Sequence, residues 1–263
     1  MASKTGKTYA SYYGNDLSIS QTSNTGVDAT SRTIIDGFNN STAISLSTRA
    51  FQVKPSSNST QTSTVQNVGG SNILAVDTNN SKVLVGASQV AANTHYKQFN
   101  AINIVPQVGY HMALQANASG HYDTLDLAEK NLGNGAEPAT TYDMSSGNDV
   151  SHWIPLIWRI VDNITVDAVD FLVGSSGTTT DTYNVHLSSF TIDTDNGSTS
   201  GDLSAGVVVA DSSTVASDRT AIDYLTCTVQ SADVDAGKVL VATLESDGTD
   251  IMSISMNVKY HIR

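Results

Sequence analysis

Ile251-Met-Ser-Ile-Ser-Met-Asn-Val-Lys-Tyr-His-Ile262 sets Ile251, Ile254, Met256 and Val258 among polar residues. Successive side chains of a strand point to opposite faces, so this pattern predicts a strand that packs one face inward and turns the other to solvent or a sister subunit. Val185, Leu187 and Ile192 sit among polar residues in the same way within Tyr183–Asp193. Working back along the chain, strand signals recur at Trp153–Ile160, Ile164–Val173, Tyr183–Asp193, Gly206–Ala210, Ala221–Val229 and Lys238–Glu245, with turns rich in Gly, Ser, Thr and Asp between them. Seven or eight strands over about 110 residues read as an antiparallel β-sandwich, jelly-roll-like.

The composition agrees with an all-β protein. Charged residues make up 14% of the chain, against about 25% in ordinary globular domains, and Ser, Thr, Asn and Gly take their place. That mixture builds few long helices. With 263 residues the chain is long enough to bury a sizeable core. A net charge of −12 argues against nucleic-acid partners, because phosphate binding needs clustered Lys and Arg. The charge is uneven: residues 1–100 hold seven bases against four acids, a balance of +3, which leaves −15 for the rest. A mildly basic end suits docking on an acidic assembly, and an acidic remainder suits open solvent. The first residues lack the apolar stretch of a signal peptide. The longest apolar run, Trp153–Val161, falls short of the roughly 20 residues of a membrane span, so a soluble chain made in a cytoplasm, without membrane insertion, is expected.

Residues 1–67 are polar, with short strand candidates at Leu17–Ser20, Ile44–Leu46 and Phe51–Val53, and too poor in apolar residues to form a core alone. Order supplied by neighbouring chains is the reading. Ser71–Gly86 holds two apolar runs, Ile73–Val76 and Val83–Val85, around a polar Asp77–Lys82 loop, a predicted hairpin with Asn at the positive-φ positions. An isolated hairpin is marginal in water, so this one asks for partners. Thr124–Asn131, with Gly133 following, predicts a short helix with a glycine cap, and a boundary falls near residue 145. The expected organisation is an attachment arm over 1–70, a hairpin and linker region over 71–145, and a β-sandwich over 146–263.

Chemistry is sparse in the sequence. Gly6-Lys7-Thr8 lacks the earlier Gly and the preceding strand that a phosphate loop requires. Asp193-Thr-Asp195-Asn196-Gly197 alternates oxygen ligands as a calcium loop does, yet lacks the later Glu, so Asp193 and Asp195 are weak metal candidates and a plain turn is the reading. The six histidines, His95, His111, His121, His152, His186 and His261, show no paired spacing and read as surface or partly packed residues. No nucleophile elbow and no paired carboxylates in apolar surroundings are visible, and Asp247-Gly248 reads as a tight turn. Cys227, the single cysteine, reads as a buried thiol in a strand. Trp153 and Trp158 could offer a platform for sugar rings, but their apolar setting favours a core role. Tyr9, Tyr12 and Tyr13 lie in the polar N-terminal segment, where aromatic side chains can anchor in another protein's pockets; they are the candidate docking residues.

Tyr9-Ala-Ser-Tyr-Tyr-Gly14, Asn24-Thr-Gly-Val-Asp-Ala-Thr30, Ser71–Gly86 with Ala-Ser-Gln-Val-Ala-Ala92, and Val258-Lys-Tyr-His-Ile-Arg263 together resemble virion structural proteins of marine tailed bacteriophages. The resemblance covers chiefly residues 1–95. It implies a homotrimer on the virion, as a tail fibre, head fibre or capsid decoration protein. Its partners would be other tail or capsid proteins, with host surface polysaccharide as a candidate ligand. The expectation is therefore a non-enzymatic protein without cofactor, whose sandwich faces outward. A stand-alone carbohydrate-binding module is the alternative, and a depolymerase-type enzyme is third.

Overall fold

The computed structural model describes residues 17–20, 26–86, 88, 90–116, 131–143, 153–177, 181–195, 197 and 199–263. Among these the chain is all-β, with no α-helix, and no helix is long and apolar enough to cross a membrane. It divides into two units, Met1–Ala92 and Asn93–Arg263.

The first unit contains two antiparallel meanders. One joins β1 (Ser18–Ile19), β2 (Arg32–Ile35), β3 (Ser41–Leu46) and β4 (Phe51–Val53); the other joins β5 (Ser63–Gln66), β6 (Asn72–Asp77), β7 (Lys82–Val85) and β8 (Val90–Ala91), each in sequence order. The expected hairpin is β6–β7, in register from Leu74↔Val85 to Asp77↔Lys82. Its positive φ falls on Ser81 (φ 55), not on an Asn. Asp77 explains why: its carboxylate accepts from the backbone N–H of Asn80 at 2.9 Å and the side chain of Asn80 at 2.8 Å, which commits Asn80 to closing the loop.

The second unit contains β9 (Thr94–Ile104), β10 (Tyr110–Ala113), β11 (Asn131–Asn134), β12 (Trp158–Arg159), β13 (Ile164–Ser175), β14 (Thr182–Ile192), β15 (Leu203–Asp211), β16 (Val215–Ala216), β17 (Ile222–Val229), β18 (Asp233–Val234), β19 (Lys238–Ser246) and β20 (Met252–Ile262). The main path runs β11-β10-β19-β14-β15-β17-β13-β20-β9, antiparallel throughout. It curls into two layers. β17-β13-β20-β9 faces β11-β10-β19-β14-β15, with one seam at Ala210↔Val229 and Asp211↔Thr228. An Asn100↔Gln115 bridge, with both backbone bonds at 2.9 Å, links the other side.

Alternation places the core. Phe99, Val169, Phe171, Ile254, Met256 and Val258 meet Tyr183, Val185, Leu187, Leu240, Ala242 and Leu244 between the layers. A second cluster, including Leu132, Trp153, Leu156, Phe190, Leu203, Val239 and Val241, lies on the outer face of the β19 layer. β19 is thus buried on both faces, and its continuous apolar run Val239–Ala242 matches such a central strand.

Several expectations change here. The sandwich unit starts at Asn93, not at residue 146, because β9 pairs with β20 from Met252↔Ile104 to His261↔Thr94 and β10 pairs with β19. Among the apolar side chains of β9, Phe99, Ala101 and Ile104 are buried, and the polar residues between them hide the strand signal. Trp153–Ile160 is a turn over its first half, with Leu156 N–H donating to Trp153 O at 2.9 Å, and strand only at Trp158–Arg159. Pro155 has no N–H to give a ladder. Residues 124–130 of the expected helix lie outside the described residues, and Asn131 opens a strand. Gly133 (φ 84) is inside that strand, where a Cβ would stand 2.8 Å from Ala139 Cβ, so close approach rather than helix capping calls for the glycine. Ile251 is exposed just ahead of β20, and Met252 takes the core position.

Candidate functional site

Tyr9, Tyr12, Tyr13, Gly6–Thr8, His121 and His152 lie outside the described residues. Of the Asp193–Gly197 segment, Asn196 lies outside the described residues, and Asp193 closes a turn. Asp193 accepts from Asp195 N–H at 2.9 Å through one oxygen and from Thr199 Oγ1 at 2.7 Å through the other, and these bonds hold its carboxyl below the usual carboxylate range. Each oxygen of Asp193 thus accepts a bond that closes its own loop. Cys227 is buried, and burial together with nearby Asp211 and Asp170 pushes its thiol up to about 12. Asp181 is raised by a hydrogen bond to Asp250, a carboxyl pair not visible in the sequence. Gly177 and Gly248 make room for it, since a Cβ on either would overlap one of the two acids.

The two tryptophans part company. Trp153 is fully buried beside Tyr142, at 4.6 Å between ring centroids. Trp158 is half-buried, tilted against Tyr260 at 4.9 Å, with Lys97 Nζ 5.9 Å from its ring and His95 stacked on the other ring at 5.4 Å. A hollow of about 150 Å³ beside them is lined by Trp158, Arg159, Asp162 and Tyr260, among others.

The first unit presents apolar surface of a different kind. Among its described residues Ala75 is the one fully buried apolar side chain, while Leu17, Phe38, Phe51, Val65, Ile73 and Val85 are exposed, Phe38 by 73%. Strands of two to six residues with open apolar faces do not cover one another.

On the outer face of the β19 layer, beyond the Trp153 cluster, five titratable side chains converge. Alternation along β14 sends Val185 and Leu187 inward and His186 outward, and β10 does the same with Met112 and His111. Glu245 comes from β19, Asp211 from β15 opposite His186, and Glu137 from the segment after β11. His111 is 0% and His186 1% exposed, with their rings 5.0 Å apart. Ligand atoms of His111, His186 and Glu245 lie within 4.8 Å of one another, as do those of Glu137, His186 and Asp211.

Electrostatics keep the imidazoles neutral. Burial lowers both, and with His111 alongside, His186 falls to about 4. Burial raises Glu137 and Asp211. His186 Nδ1 is 3.0 Å from Asp211 Oδ1 and 3.6 Å from Glu137 Oε2. These are close distances without hydrogen-bond geometry, and a neutral ring makes no ion pair. Among the described residues His111 Nδ1, both nitrogens of His186 and Asp211 Oδ1 have no hydrogen-bond partner. The sequence reading of surface or partly packed histidines misses this group. His186 between Val185 and Leu187 takes the polar phase of an alternating strand, which reads as a solvent-facing position and so hides the burial.

No protein-family model matches the chain, and no curated protein matches it. Among solved structures it is similar to the CBM22-1 and GH10 modules of Clostridium thermocellum endo-1,4-β-D-xylanase 10B complexed with xylohexaose, at 12% identity over 63% of this chain and 26% of that one, TM-score 0.27. A second likeness is to the empty head of turnip yellow mosaic virus, at 7% identity over 64% of this chain and 80% of that one, TM-score 0.21. The chain thus spans about a quarter of the xylanase chain, and likenesses this slight leave its function to be read from its own residues.

Proposed function

We propose that the protein is a non-enzymatic structural subunit of a tailed-phage virion, a trimeric fibre or capsid decoration protein that attaches through its N-terminal region and carries the sandwich outward. The observation behind this reading is the first unit, whose short strands hold almost no buried apolar side chain while several large ones stay exposed. Burying an exposed Phe or Leu contributes about 1.5–3 kcal/mol, and sister chains are the simplest source of cover. The second unit has its own core of Phe, Leu, Ile, Val and Met and needs no such help. Light scattering of the full chain tests the assembly: a trimer is expected, and a stable monomer with an ordered first unit would refute it. Immunolabelling of particles then tests attachment, and removal of residues 1–92 should leave a folded sandwich that no longer joins them.

A second reading is a carbohydrate-binding module, favoured by the Trp158 and Tyr260 aromatic pair with Arg159 and Asp162 beside it. Sugar rings stack on aromatic faces while hydroxyls pair with such polar groups. Tryptophan fluorescence titrated with host polysaccharide, lost in Trp158→Ala, would support it.

A further inference from the structure

We infer that His111, His186 and Glu245 form a binding site for a first-row divalent transition metal, zinc by its donor set. The site lies in the sandwich unit and is independent of the virion reading.

Buried polar atoms normally find partners, and leaving one without is destabilising. Here several such atoms gather in one place on adjacent strands. The ring nitrogens explain themselves once protons are placed. His111 Nε2 is 3.1 Å from Gly135 O; a carbonyl only accepts, so Nε2 carries the hydrogen and Nδ1 keeps a bare lone pair. His186 Nδ1 stands 3.0 Å from Asp211 Oδ1, out of hydrogen-bond alignment but close enough for the carboxylate to favour the tautomer with hydrogen on Nδ1, which leaves Nε2 bare. Each imidazole therefore has an oxygen beside one nitrogen, hydrogen-bonded in His111 and merely close in His186, and a free lone pair on the other. That is the arrangement of metal-ligating histidines, whose second nitrogen is held by a carbonyl or carboxylate.

Glu245 adds a carboxylate within 4.8 Å of both. Two neutral imidazoles and one carboxylate suit zinc and its neighbours in the first row. Calcium and magnesium prefer an all-oxygen shell. Asp211 acts as a positioning residue for His186. Glu137, 54% exposed and 3.6 Å from His186 Nδ1, stands on the side away from the proposed bare nitrogen. Since His111 bonds Gly135, the ion would also brace the loop that follows β11.

Cobalt(II) titration of the full-length protein, followed by visible absorption and by metal content after gel filtration, tests the assignment. One equivalent per chain is expected, displaced by zinc, with a rise in Tm that a chelator reverses. Glu245→Gln and His111→Gln should each weaken binding about tenfold or more, and Asp211→Asn by about 10–100-fold. Glu137→Gln should leave it within about twofold. Glu245→Gln and Glu137→Gln conserve shape at partly exposed positions, so they decide the matter if a histidine variant fails to fold. Absence of stoichiometric cobalt binding would overturn the site. So would binding that survives Glu245→Gln and is lost in Glu137→Gln, which would move the ion to the Glu137 and Asp211 side.

Discussion

Gly206 passes so close to Phe190 that a Cβ on the glycine would stand 2.6 Å from the ring's Cε1 and 2.8 Å from Thr140 Cα. The ring is fully buried in the outer cluster, and Gly206 N–H donates to Thr140 O at 2.8 Å, so neither neighbour has room to retreat. Gly206→Ala is expected to destabilise the sandwich by about 1–3 kcal/mol through overpacking. Urea unfolding of the variant against the parent measures this, and an unchanged midpoint would contradict the packing described.

Tyr183 reaches across the core to donate its hydroxyl to Asp223 Oδ2 at 2.9 Å. Tyr183→Phe should cost about 0.5–1.5 kcal/mol for the lost bond, rising to about 3 kcal/mol if the carboxylate is left without a partner.

The same hydroxyl and the Cys227 thiol set an alkaline limit. Burial first, then Asp223, raises Tyr183 from its ordinary 10.0, and burial raises Cys227 from 9.0 to about 12. Folded values above unfolded ones mean that the folded state holds these protons longer, so their contribution is complete below pH 9 and lost as pH climbs toward 12. Unfolding free energy should fall steadily over that window, and Tyr183→Phe should flatten the fall.

Cys227 should also be inert in the native protein. A thiol reagent at pH 8 is expected to label it only after denaturant is added, because the thiolate is the nucleophile and burial suppresses it. Rapid labelling of the folded chain would show an opening of the β13–β17 pair that the register does not contain.

If sister chains cover the first unit, Phe38→Ser together with Phe51→Ser should shift the trimer towards monomer at a given concentration by roughly tenfold or more, while leaving the main melting transition of the sandwich in place. Light scattering and calorimetry on one sample separate these effects.

The long strands of the sandwich were legible because their alternation is strong. Ile254, Met256 and Val258, or Val185 and Leu187, fall on one face and lie in the core. β9 and β2 were not, since in Thr94–Ile104 polar residues separate the buried ones and Arg32–Ile35 is only partly buried. Trp153–Leu156 misled because apolar residues in a row fit a turn that buries Trp153 and Leu156 as well as a buried strand. The turn role of Asp193 was visible in its neighbours, as Asx chemistry is local. The His111, His186 and Glu245 cluster was not, because it joins positions 75 and 59 residues apart through strand order, and spacing carries no trace of that.

β20 lies in the middle of its layer, hydrogen-bonded to β13 on one side and β9 on the other, and Asn103 meets Ser253 across 150 residues of chain. During synthesis, then, β9 and β13 leave the ribosome long before the strand that must sit between them exists. Until it arrives, each shows an open edge to any extended chain nearby, including nascent copies of the same protein on one message. The sandwich closes only after translation has passed residue 262, and the waiting time, rather than the finished fold, is when the chain is most exposed to pairing wrongly.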